Sequence, residues 1–242
     1  MEKSRFGTVY HDDKACEPGL CFTTSNKITL GDSVDGKEIS WAKYKDMYIA
    51  DRCVTTAISW NKLNEQGFVY GVPVKIDGRH YLCRCLKIGT RKNEDCEWND
   101  ILRELGDSNV IWNWRHMYFW GQEESPRDPD RRMVWGYNGN DRKRSSYFAT
   151  VQIPVLGFRP ALEPLPPTLS DFDGLVGTRL RVYGPNGFML PSILIGADDY
   201  DLTLRPLIPL PANCDWAIRK GPIATVDRDA VRYICKEEET RG

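Results

Sequence analysis

Four prolines within eight residues, Pro160, Pro164, Pro166 and Pro167, constrain this chain most. Proline fixes φ and withholds a backbone donor, so such a run stops helix and ladder alike and holds a stiff, extended linker. Tryptophan usage changes across it. Trp41, Trp60, Trp98, Trp112, Trp114, Trp120 and Trp135 precede the run, and Trp216 alone follows. The shift predicts a domain boundary near residue 165. The expected segments are an N-terminal arm or hairpin over 1–39, a Trp-rich domain over 40–163, a linker over 164–170, a second domain over 171–236 and a charged tail over 237–242. At 242 residues the chain is long enough for two cores.

Bulk chemistry excludes several classes. Apolar content of 41% and charge of 28% predict a folded chain. A net charge of −1 argues against whole-molecule attraction to nucleic acid or membrane. No apolar run approaches a membrane span, and Met1 to Gly7 lacks the apolar core of a signal peptide. The reading is therefore cytoplasmic. The eight cysteines show no CxxC spacing, so buried thiols are expected in place of a disulfide framework or a zinc site.

Local signals place the elements. Met47–Asp51 and Cys53–Thr55 suggest a strand. Ser59 reads as the N-cap of a helix over Trp60–Gln66, closed by Gly67. Phe68–Ile76 and Arg79–Ile88 form a hairpin around Asp77-Gly78. Asn93 or Asp95 would cap a second helix through Leu105, ended by Gly106. Ile111–Gln122 is a third helical candidate or a strand–helix junction. Residues 132–137 and 146–153 read as strands around Asn138-Gly139-Asn140.

Leu156-Gly157-Phe158-Arg159-Pro160-Ala161-Leu162 closes a stretch dense in Arg, Trp and Tyr. A Gly-Phe-Arg ending after such a stretch resembles the last strand of the C-type-lectin-like fold. Both formylglycine-generating enzymes and the variable proteins of diversity-generating retroelements end this way. The resemblance implies an α+β domain with an exposed binding face just before the ending. It would consist of Arg131, Arg132, Trp135, Tyr137, Arg142, Lys143, Arg144 and Tyr147. Trp114 and Tyr118 would join it from the run Trp112–Trp120. Alternation would turn Val134 inward. Arg159, between Phe158 and Pro160, is expected buried and hydrogen-bonded. The enzyme branch needs paired late cysteines, yet no Cys lies between Cys96 and Cys214, so that activity is not implied.

The C-terminal part resembles an Sm-like small all-β barrel. Gly177–Tyr183, a turn at Asn186-Gly187, Phe188–Ile195 and Ala197–Leu204 are similar to the first signature of that family. Ala224–Ile234 is similar to the second. Pro191 or Ser192 stands where the family bends a strand at Gly, and Asp201 stands where RNA-binding members carry Asn. Asp198, Asp199, Asp201, Asp227 and Asp229 make the turns acidic, which repels phosphate. The resemblance implies self-association through edge strands, or docking on the first domain, and the acidic turns argue against RNA.

No phosphate-binding loop, dinucleotide motif, HExxH or GxSxG occurs. His11, His80 and His116 are scattered and read as structural. Glu97-Trp98-Asn99-Asp100 holds the Trp-Asn-Asp triplet of calcium-dependent lectins. Here it precedes a helical run and reads as an acidic first turn. No cofactor or metal is expected. The chain is read as a non-enzymatic binder with a macromolecular, most simply protein, partner. The retroelement resemblance sets it in a phage or mobile element within a bacterial host, where a defence protein is a candidate target. The alternative is a nucleic-acid or nucleotide binder using the basic strip 127–144, with Trp135 and Tyr137 stacking on bases.

Overall fold

The computed structural model describes residues 3–21, 27–91, 94, 96–138, 141–185, 187–210 and 214–237; the side chains of 20, 21, 137, 138 and 141–143 lie outside that description. Of the described residues 49% are strand and 10% helix, a β-rich fold with curled antiparallel sheets. It divides into two compact units, 1–165 and 166–242. The balance lies further toward β than an α+β reading implies.

Unit 1 opens with β1 (Lys3–His11), β2 (Lys14–Cys16), β3 (Leu20–Cys21), β4 (Ile28–Gly31), β5 (Glu38–Tyr44), β6 (Met47–Ala50) and β7 (Thr55–Thr56). Helix α1 (Trp60–Glu65), β8 (Val72–Ile76), β9 (Arg79–Arg84), α2 (Glu97–Leu105) and α3 (Asn109–Trp112) follow. It closes with β10 (Tyr118–Ser125), β11 (Asp128–Asn138), β12 (Asp141–Phe148), β13 (Leu156–Phe158) and β14 (Ala161–Leu165). One sheet runs β2-β1-β5-β6-β14-β9-β8, with β4 also on β1; the other runs β12-β11-β10-β13-β7-β3.

Several local signals act as expected. Ser59 Oγ accepts from Lys62 N and starts α1. Asp77 and Gly78 both take positive φ, 48° and 78°, and join β8 to β9 in a tight turn. Helix α2 differs: its N-cap is Cys96, which makes no side-chain cap, and the expected caps Asn93 and Asp95 lie outside the described residues. Over 111–122 a single helical turn precedes a strand. The strand expected over 146–153 lies over Asp141–Phe148, and Ala149 follows it in a turn. Gly139 and Asn140, between the two strands, lie outside the described residues.

The described residues of 3–39 form no detached arm, although β1 and β2 do pair as a hairpin. β1 pairs with β2, β4 and β5, and Val9, Ile28, Leu30 and Ile39 are buried in the core. The linker starts later than expected, because Pro164 and Leu165 still pair with Tyr81 and His80 in the β14–β9 ladder. Thr168 and Leu169 already bond to Ile234 of unit 2. Limited proteolysis should therefore nick between Pro166 and Asp171 and leave a folded fragment ending near Leu165. Cleavage within 40–162 at equal rates would contradict two independently compact units.

Two apolar cores fill unit 1. The first gathers Val9, Trp41, Trp60, Trp120, Val134 and Phe158; the second gathers Tyr44, Trp98, Ile101, Trp112, Phe119 and Trp135. Successive residues of one strand feed different cores, as Phe119 and Trp120 do in β10. Strand alternation with both faces covered explains the tryptophan density before residue 165. Gly157 is required by close approach, since a Cβ there would lie 2.3 Å from the Thr55 carbonyl oxygen across the β13–β7 pair.

His11 is buried at 3.1 Å from Thr55 Oγ1. Burial lowers its pKa below the ordinary histidine value, against the opposing pull of Asp12. The unfolded chain, titrating near 6.5, then binds the proton more readily than the native one. This contribution to stability is full above that value and is lost as pH falls below it. The thermal midpoint should drop from pH 7.5 to 5.5, and His11→Gln should flatten part of that drop. A wild-type midpoint that holds or rises toward pH 5.5 would contradict the assignment.

Unit 2 comprises β15 (Arg179–Tyr183), β16 (Met189–Ala197), β17 (Asp201–Pro206), β18 (Ala217–Lys220), β19 (Ile223–Asp227), a 3-10 turn (Arg228–Ala230) and β20 (Tyr233–Lys236). Their order is β18-β19-β17-β16-β15-β20, all antiparallel, around Leu180, Val182, Leu194, Leu204, Val226 and Ile234. β16 runs straight through Pro191 and Ser192, and its irregularity falls between Leu194 and Gly196. The acidic turns are structural: Asp198 Oδ1 accepts from Tyr200 N and Asp201 N, and Asp227 Oδ1 accepts from Asp229 N.

Candidate functional site

The candidate residues separate into three groups. Trp135, Trp114 and Tyr118, expected on a binding face, are buried. Trp135 is only 6% exposed and stacks on Trp114 at 4.9 Å, with the rings 9° from parallel. Trp98 meets its edge at 5.7 Å. Val134, next in the strand, is buried as well, in the other core. Alternation is thus as expected, but α2, α3 and Trp114 cover the face assigned to ligand. Large aromatics at such positions contribute most by leaving water.

Arg144 is tied into the structure. Its Nε donates to the Ile88 carbonyl at 2.7 Å, Nη1 to the Arg91 carbonyl at 2.5 Å and Nη2 to Cys96 Sγ at 3.2 Å. It clips β12 to the segment before α2. The side chains of Tyr137, Arg142 and Lys143 lie outside the described residues, although their backbones continue the β11–β12 ladder.

Arg131, Arg132 and Tyr147 reach the surface. Neighbours in β11, the two arginines leave opposite faces of the sheet. The Arg131 guanidinium lies 4.6 Å from the ring of Phe148, its cross-strand partner, which is exposed. On the other face Arg132 lies 4.5 Å from the Trp60 ring, ion-pairs with Glu124 at 3.2 Å and donates to the Pro129 carbonyl. Tyr147 pairs across the ladder with Arg132, and its ring meets Tyr118 edge-on at 6.1 Å. Tyr70, 60% exposed, packs edge-on to Trp60 at 6.2 Å. Tyr70, Arg132, Tyr147 and Glu124 form one patch in which a cation is held over the buried indole of Trp60. Burial and the Glu124 carboxylate raise the Tyr70 pKa, while Arg132 opposes them.

Trp60, Tyr70, Glu124 and Phe148 were not among the sequence-derived site residues. They come from α1, the turn before β8, β10 and the end of β12, so no local pattern joins them.

The Trp-Asn-Asp triplet has a structural use. Trp98 is core, and Glu97 takes a two-pronged pair from Arg84 at 2.7 and 2.9 Å. Arg84 also donates to Glu163, so β9, α2 and β14 meet at one guanidinium. These carboxylates raise the Arg84 pKa, although burial opposes them. An open cleft of about 670 Å³ adjoins this network, lined by Tyr44, Lys45, Asp46, Glu94, Asp100 and Glu123 among others. Glu94 and Glu123 are occupied with backbone N–H groups of Thr90, Arg91, Ile88 and Gly89. Among the described residues, no group of three or more His, Cys, Asp or Glu is placed to hold a metal ion, and no helix is long and apolar enough to cross a membrane.

None of the described cysteines is joined in a disulfide. Burial pushes the Cys53 thiol up to about 11, and raises Cys83 and Cys85 well above the ordinary range. Brief maleimide treatment of the native protein should label Cys96 and Cys214 and spare these three. Rapid native labelling of Cys83 or Cys85 would contradict the packing of β9.

No family model, no curated protein and no solved structure matches this chain.

Proposed function

We propose that this chain is a non-enzymatic binding protein. Unit 1 is read as a C-type-lectin-like recognition domain and unit 2 as an Sm-like small barrel. The buried Gly157–Arg159 ending supports the first reading, and the curled six-stranded sheet around one apolar core supports the second. The partner is a macromolecule, most simply a protein. In a phage or mobile-element setting it would be a host defence protein.

The observation that carries this reading is the Arg132 patch. Arginine, tryptophan and tyrosine are the residue types enriched where interfaces derive most of their energy. Here the guanidinium is fixed by Trp60, Glu124 and the Pro129 carbonyl, so little side-chain freedom remains to be lost on binding. The nucleic-acid alternative loses one of its two stacking residues, because Trp135 is inside the domain.

The test begins with capture from bacterial lysate and identification of the retained species. A purified partner is then titrated at two salt concentrations. Tyr70→Ala should weaken the complex by about 2 kcal/mol, with the thermal midpoint unchanged. Arg132→Ala should weaken it at least as much. Equal affinity of wild type and Tyr70→Ala for every retained partner would remove this patch. Retention of nucleic acid alone, with affinity falling steeply in salt, would favour the alternative.

A further inference from the structure

We propose that the outer face of the sheet in unit 2 is a self-recognition surface that seats a second copy of this chain. The proposal does not depend on the Arg132 patch.

Alternation defines the face. Leu194, Leu202, Leu204, Ala224 and Val226 are fully buried, so the residues between them point outward. The ladder registers Gly196 with Thr203, Thr203 with Thr225, and Thr225 with Ile218. These four form one uncharged row across β16, β17, β19 and β18. Ile218 is 67% exposed at its end, and Ile195, beside Gly196, is also exposed. A Cβ on Gly196 would meet nothing within 4 Å, so the row is open above it. Unit 2 also holds six of the ten described large apolar side chains that are exposed, in less than a third of the chain. Two of the six, Ile195 and Ile218, lie on this face.

Charge lies to either side of the row, with opposite sign. Two residues along the strands in one direction are Arg205 and Lys220. Two residues in the other direction are Asp201 and Asp227, which face each other across the β17–β19 ladder. Like charges directly opposed across a ladder destabilise it. Among the described residues none of these four side chains has an ion pair.

The pattern is complementary to itself in one orientation. A closed homodimer places the same patch on both sides of a two-fold axis. If the axis lies in the interface along the uncharged row, strand direction reverses between copies. The Arg205–Lys220 side of each copy then faces the Asp201–Asp227 side of the other, with Ile218 against Ile218. An axis along the strands would oppose like charges. The charge pattern therefore selects the first axis. This contact is made by a sheet face, which differs from the edge-strand pairing that the Sm-like resemblance implies.

Sedimentation velocity of the full chain over a concentration series tests the proposal. Wild type is expected to show a concentration-dependent monomer–dimer equilibrium. Ile218→Asp should weaken it by about tenfold or more, because it sets two carboxylates against each other across the axis. Thr225→Arg, from the same row, takes its place if Ile218→Asp lowers the thermal midpoint. The double reversal Asp201→Lys with Asp227→Lys should weaken association by about tenfold, through juxtaposed like charges. Adding Arg205→Glu and Lys220→Glu should restore it to near the wild-type constant. A strictly monomeric wild type, association indifferent to both row variants, or a fourfold reversal no better than the double one would each overturn the proposal.

Discussion

Trp135→Ala is expected to cost about 3–5 kcal/mol, as for other fully packed aromatic truncations. The ring lies among Trp98, Trp114, Phe119 and Met133 in the second core, stacked on Trp114 at 4.9 Å. Its removal leaves that ring without its stacking partner and opens a cavity under α2. Chemical denaturation read by fluorescence should show a large shift in midpoint with little change in slope. Trp135→Phe should recover part of the loss. A loss below about 1 kcal/mol would mean that the ring is dispensable to the core, against its burial.

Arg159→Ala should destabilise by about 2–4 kcal/mol. The guanidinium is fully buried; Nη1 donates to the Ala50 carbonyl at 3.1 Å and Nη2 to the Trp112 carbonyl at 2.7 Å. The rings of Phe119, Trp98 and Trp112 surround it at 5.0, 5.7 and 5.9 Å. Burial lowers its pKa, with Cys53 and Asp51 opposing. A cation held by carbonyl oxygens and aromatic faces joins β6, α3 and β13, and truncation strands both carbonyls. Arg159→Lys should not rescue fully, because one ammonium on a narrower stem cannot reproduce the planar fork. A thermal midpoint within a degree or two of wild type for Arg159→Ala would contradict this account.

The sequence was legible where the physics is local. Ser59 before an apolar run makes a helix start, and Asp77-Gly78 makes a turn, because each depends on a few adjacent backbone groups. Arg159 between Phe158 and Pro160 was readable as a buried cation for a related reason. What stayed hidden was the second layer of burial. Alternation in β11 separates Val134 from Trp135 correctly, yet nothing in 132–137 tells that α2, over Glu97–Leu105, covers the Trp135 face. The same gap hid the role of β1, within the polar stretch 1–39 that reads as an arm or hairpin, although β1 pairs with three strands. It also hid the Arg132 patch, assembled from α1, β10, β11 and the turn before β8.

Strands packed on both sides leave unit 1 no spare sheet surface at residues 118–120 and 133–135. For anyone who would diversify this scaffold into a library of new binders, that divides the positions into two classes. Random codons at 118–120 or 133–135 would mostly yield unfolded clones. Codons at Tyr70, Glu124, Arg131, Tyr147 and Phe148 would vary chemistry at the rim over an unchanged interior.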